Sequence, residues 1–412
     1  MTGSDPLGGG EFPFGDLSKL FGAFGNADPW QQAAQIAQAV ASEGESEPNV
    51  EPKVRIALED LARVALLYLA EVPGVASSPA LHSTSVGVKP VTRAQWTTDS
   101  LDAYRQFFER FGEAIGQVGP PDLASGADPF AAMFGTMFSS LAPMMVAASA
   151  GAMIGHLGQH ALGQYELPVP RSSDRVLVVP SAIDDAADEW GVPVDELRMW
   201  ILVHELASHA LITIPHVRRH FDALFIDFAT AFRLDPARIE QEFGHIGGLE
   251  DLSKIQELSE QFNDPEAILS LMRTRTHDLL MPQLDALVAA FLGMVDFAVE
   301  RVCLTLVPNH ALIRQAMRER TLAVNPADRF MERLLGINIT EGTLDRGRRF
   351  INGIIERVGD AGIEKLWGDE LDMPTAAELD APGLWLARVG LDPDMELPDI
   401  EIPDDLSGLD DL

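Results

Sequence analysis

The chain has 412 residues, with 63 acidic against 30 basic side chains and a formal net charge of −33. Such a surface repels phosphate, which excludes a nucleic-acid binder and disfavours an anionic membrane. Hydrophobic residues make up 46%, enough for a real core, and the lone Cys303 excludes an internal disulfide framework.

Residues 1–28 are Gly- and Phe-rich with little periodicity and read as a disordered tail. They lack the basic start and apolar run of a secretory signal, so a cytoplasmic location is expected. A helical pattern runs through Trp30, Ala33, Ile36, Ala37 and Val40 and ends in an acidic linker. A second helix is expected over 54–72, with Ile56, Leu58, Leu61, Val64, Leu66, Leu67 and Leu69 as a wide apolar face. The stretch PGVASSPALHSTSVGVKP reads as a loop, and a third helix follows over 100–118, ended by Pro120 and Pro121.

Residues 129–165 contain no Asp, Glu, Lys or Arg, which is long enough to span a bilayer. Small residues, several polar ones and Pro143 favour a buried helical hairpin instead. Gly151 and Gly155 would let helices approach closely. The clearest strand lies at 175–180, RVLVVP. Beyond it the pattern is helical almost to the end, so the fold expected is mainly α with at most a small β element near 175–180. A body over 29–388 is followed by an acidic tail over 389–412. The charge of −33 divides unevenly. Residues 1–52 carry −7 (8 acids, one Lys), residues 389–412 carry −9 (9 acids, no base), and the remainder −17.

The stretch with possible chemistry is PVDELRMWILVHELASHALITIPHVRRHF, residues 193–221. Pro193, Asp195 and Glu196 suit a helix start. Inside it lies His204-Glu205-Leu206-Ala207-Ser208-His209. In zinc metallopeptidases, His-Glu-x-x-His puts two imidazoles on one helix face around zinc, with the Glu as general base. Here Ser208 takes the second histidine's place and the histidine comes one residue later. On an ideal helix residues five apart diverge by about 140°. Two arrangements remain open. A π-bulge would absorb the extra residue and converge His204 with His209. A regular helix would instead put Glu205 and His209 on one face. His216 and His220, beside Arg218 and Arg219, read as a solvated basic first turn. Cys303, in an apolar helix, reads as a buried structural thiol.

Beyond that motif, several segments together resemble a known family. They are TRAQW at 92–96, the small-residue helices before Leu167, VVPSAIDDAADEWGVPVDELRMWILVHELASH, FLGMVDFAVERV at 291–302, and LWGDELDMPTAAELDAPG at 366–383. The chain resembles a zincin-like metallopeptidase family, largely actinobacterial, whose members are labelled hydrolases or zinc-dependent metalloproteases. One branch is associated with biosynthesis of a deazaflavin coenzyme. The resemblance implies a zincin-like helical fold, zinc as cofactor and a peptide or protein substrate. It implies His204 and His209 as metal ligands and Glu205 as catalytic base. Many members carry Glu-Gly in the second helix. Here Leu292 precedes Gly293, and Asp296 one turn later is the candidate third ligand. The competing expectation is a catalytically inactive scaffold that binds a basic protein partner through its acidic tails. Neither reading needs a membrane.

Overall fold

In the computed structural model, residues 28–116, 129–233, 269, 272–323 and 325–391 are described. Residues 1–27 and 392–412 of the expected tails, and the expected helix end at Pro120 and Pro121, lie outside them. Among the described residues there are fourteen α-helices and two short strands, so the mainly α fold read from the sequence is the fold observed.

Helix α1 (Pro29–Ala41) starts where Asp28 accepts from the Trp30 N–H at 3.0 Å. Helix α2 spans Pro52–Leu69 and buries only the stripe Leu58, Ala62, Ala65 and Leu69. Ile56 and Leu67 are exposed, so the wide apolar face read from the sequence is only partly covered. Within the expected loop that follows, Gly87–Pro90 forms strand β1, paired in parallel with β2 (Arg175–Val178). The strand read at 175–180 is therefore real, and its end at Val178 lets Pro180 open helix α5 (Pro180–Trp190).

Helix α3 spans Arg93–Gly116, starting seven residues earlier than expected. The reason is a reciprocal cap. The Gln95 N–H donates to Thr92 Oγ1 (3.2 Å), and the Thr92 N–H donates to Gln95 Oε1 (3.4 Å). The TRAQW segment is thus a helix start, and its Trp96 is completely buried.

Helix α4 (Pro129–His160) replaces the hairpin expected for 129–165. It runs through Pro143, which is exposed, so the missing hydrogen bond falls on a solvated side. Its small residues serve close packing against α1 and α3. A Cβ on Gly151 would lie 2.4 Å from the Ala33 carbonyl oxygen, and one on Gly155 2.7 Å from Val40 Cβ. The close approach expected at these glycines is therefore made to α1.

Helices α6 (Val194–Ile212) and α7 (Pro215–Ala231) follow, then α8 (Arg275–Leu306) and α9 (His310–Leu322). The remainder is α10 (Pro326–Leu334), α11 (Glu341–Val358), α12 (Asp360–Leu366), α13 (Ala376–Asp380) and α14 (Pro382–Arg388). Helix α8 crosses α11 where Gly293 meets Gly347. Helix α6 sits at the centre, packed against α2, α5, α7, α8, α9 and β2. All its residues from Glu205 to Ile212 are buried, as are Leu197 and Met199–Val203. A helix apolar all round is a core element. No single described helix is long and apolar enough to cross a membrane. The pair α6 and α7 meets that length and composition only together, across an 86° bend.

Candidate active site

Helix α6 is α-helical without interruption from Val194 to Ile212, so no bulge absorbs the extra residue between His204 and His209. The two imidazoles take different partners. His204 is 23% exposed; its ring stacks on Trp200 at 5.5 Å between centroids, and its Nδ1 lies 3.1 Å from Glu205 Oε1. His209 is 1% exposed, and its Nδ1 shares a 2.8 Å hydrogen bond with the Tyr165 hydroxyl.

Glu205 and His209, four residues apart, do share a face, and Tyr165 covers it. The Tyr165 backbone N–H donates to Glu205 Oε2 at 2.8 Å, while its hydroxyl reaches His209. Glu205 is 3% exposed. Its carboxylate fills the space over Gly163, where an added Cβ would lie 2.3 Å from Glu205 Cδ. The Gly163 carbonyl is held in turn by the buried Trp96 indole N–H at 2.6 Å.

Burial sets the charge states of this cluster. It lowers the His209 imidazole to about 4, so the ring is neutral at neutral pH. It pushes the Tyr165 phenol far up, so the hydroxyl keeps its proton. The Nε2 atom of His209 is buried without a hydrogen-bond partner.

The other candidates are placed elsewhere. Asp296 on α8 accepts from Arg314 Nη2 (3.1 Å) and Arg348 Nε (3.0 Å). Pro215 opens α7 as expected, and His216 has a buried, unpartnered Nε2 rather than a solvated ring. His220 is lowered by burial. Cys303 is a free, buried thiol pushed up to about 12 by burial, consistent with an inert structural role.

A mononuclear zinc site needs three protein ligands converging on one point at about 2.0–2.2 Å. Among the described residues no group of three His, Cys, Asp or Glu side chains is arranged to hold a metal ion. His204, His209 and Asp296 therefore do not form one in this conformation. Among the described residues, this arrangement does not fit a zinc of the zincin kind. Sequence reasoning found Glu205 and His209 but missed Gly163 and Tyr165, which lie in a loop with no periodic signal.

A family model for zincin-like metallopeptidases matches residues 29–386. The chain belongs to that family. No curated protein sequence matches it. Among solved structures it is similar to a Chloroflexus aurantiacus protein described as a "putative hydrolase with a novel fold". The two share 17% identity over 88% of this chain and 98% of the other, with a TM-score of 0.57. At that identity the likeness concerns the fold.

Proposed function

We propose that this protein is a non-catalytic zincin scaffold, in which the motif helix supports the core and the acidic segments bind a basic protein partner in the cytoplasm. One observation carries the reading. On an unbroken α6, Glu205 and both imidazoles are engaged by neighbours within the fold, two of the three by Tyr165. A general base needs access to water and substrate, and Glu205 is 3% exposed. The concentration of negative charge at 1–52 and 389–412 suits a basic partner and opposes nucleic acid.

The test is elemental analysis of the full chain, purified without chelator, beside a peptidase assay on wild type and Glu205→Gln. Zinc well below one per chain, with no activity lost in the variant, is the expected result. Binding to a basic partner should fall when residues 389–412 are removed.

A second reading is a zinc-dependent hydrolase with His204, His209 and Asp296 as ligands and Glu205 as base. Family membership supports it, and the unpartnered Nε2 of buried His209 favours it. It requires α6 to bulge between the two histidines and Asp296 to leave Arg314 and Arg348. Stoichiometric zinc with an activity abolished by Glu205→Gln would establish this reading and overturn the first.

A further inference from the structure

The loop that carries Tyr165 also brings an arginine into the interior. Arg171 is 4% exposed. Its Nη2 donates to the Gln164 carbonyl at 3.0 Å, and its Cζ lies 5.1 Å from the Tyr104 ring centroid. Its Nε and Nη1 are buried and have no partner. The surrounding side chains share this condition. The Gln164 Nε2 amide and the hydroxyls of Tyr104 and Ser100 are buried without partners as well. The amide is oriented, because Gln164 Oε1 already accepts from the Leu177 N–H at 3.2 Å. Ser100 and Tyr104 are one turn apart on α3 and so lie on one face.

These orphans are of one kind: each is able to donate a hydrogen bond, and the arginine and amide nitrogens can do nothing else. Burial pushes the Tyr104 phenol up to about 12, so it too remains a donor. The neighbouring acid on the loop, Glu166, is already committed to Arg320 Nη2 at 2.8 Å and to the Leu162 N–H at 2.7 Å. Among the described residues no carboxylate pairs with Arg171. A buried guanidinium without a counter-ion is strongly unfavourable, and unsatisfied donors around it add to that.

We infer that Arg171, Gln164 and Tyr104 form a binding site for a small carboxylate, which supplies the missing counter-ion and acceptors. One buried positive charge balances one negative charge. That matches a carboxylate better than a phosphate, which at neutral pH is a mixture of singly and doubly charged forms. The site stands apart from the question of zinc, since it uses none of the candidate ligands on α6.

The experiment is thermal unfolding of the full chain in sodium acetate, sodium phosphate or sodium chloride at matched ionic strength. Acetate should raise the midpoint by several degrees over chloride, with a saturable dose response, because a ligand specific to the native state stabilises it by mass action. Tyr104→Phe keeps the ring under Arg171 and removes one donor. It should weaken the apparent acetate affinity about fivefold. Gln164→Glu keeps an acceptor for Leu177 and places a carboxylate beside Arg171. It should raise the midpoint in chloride and abolish the acetate response. Equal midpoints in acetate and chloride would overturn the site, as would a wild-type acetate response in Tyr104→Phe. A larger rise in phosphate than in acetate would overturn the carboxylate assignment.

Discussion

The hydroxyl of Tyr165 meets Nδ1 of His209 at 2.8 Å inside the core, and the same residue's backbone N–H holds Glu205. One loop residue therefore engages two members of the motif. The contact directs the imidazole of His209 toward the Tyr165 loop, while His204 lies on Trp200. Tyr165→Phe should leave the His209 Nδ1 buried and unsatisfied. The expected cost is about 1–3 kcal/mol, read by urea denaturation. In a double-mutant cycle with His209→Leu the two losses should be clearly non-additive, since both remove one bond. Additive losses would mean that the pair contributes nothing.

Gly163 lies under the Glu205 carboxylate with no room for a methyl group. Gly163→Ala should destabilise by about 2–4 kcal/mol through overpacking in the centre of the fold. Gly191 provides the contrast. It ends α5 at φ +65° with nothing within 4 Å of its would-be Cβ. Gly191→Ala should cost only about 1 kcal/mol, the strain of a left-handed backbone. Equal losses at the two sites would contradict the packing.

The crossing of α8 and α11 depends on backbone-to-backbone contact. A Cβ on Gly347 would lie 2.0 Å from the Ala289 carbonyl oxygen, and one on Gly293 2.5 Å from the Gly347 backbone. Because backbone cannot rotate away, Gly347→Ala should be the most damaging of the glycine substitutions. It should lower the yield of folded protein or cost more than about 3 kcal/mol. A stable variant with an unchanged unfolding midpoint would show that these helices can separate cheaply.

His277 predicts a pH dependence. Its ring is buried edge-on against Phe228 at 4.5 Å, and its Nδ1 accepts from the Thr274 N–H at the start of α8. Burial lowers its pKa below the ordinary value of 6.5. The unfolded chain then binds the extra proton first. Stability from this group is complete above about pH 6.5 and is lost as pH falls below it. His277→Gln keeps an acceptor at the capping position and cannot titrate. Its unfolding free energy should fall less steeply with acid than that of wild type, by at most about one proton's worth of slope. Parallel curves would remove His277 from the acid response.

Much of the architecture was legible from residue order. Period-3.6 patterns marked α1 and α2 because these amphipathic helices each bury one stripe. The run RVLVV was a strand because it is rich in β-branched Val and bounded by polar and Pro signals. Strand β1 was hidden because four residues, two of them Gly and Pro, are too few to establish a period. The segment at 366–383 had a defined order and no period, and the structure explains why. Thr375 and Glu378 form a capping box, Arg388 clamps Glu378, and the Trp385 indole N–H donates to the Asp372 carbonyl at 2.6 Å. Such local polar contacts need particular residues at particular places rather than a repeating face.

The site divides in the same way. Spacing alone stated that His204 and His209 diverge on a regular helix and that Glu205 and His209 share a face. Both statements depend only on 100° per residue. Whether the helix stays regular, and what meets that face, is not a property of the spacing. Those were decided by Tyr165 and Gly163, which meet α6 from a loop that runs from the end of α4 to β2. Their sequence, LGQYELPVPR, has no period because each residue answers to a different neighbour. Local geometry follows from the chain's own repeat. A buried polar network follows from partners distant along the chain, and only packing brings those together.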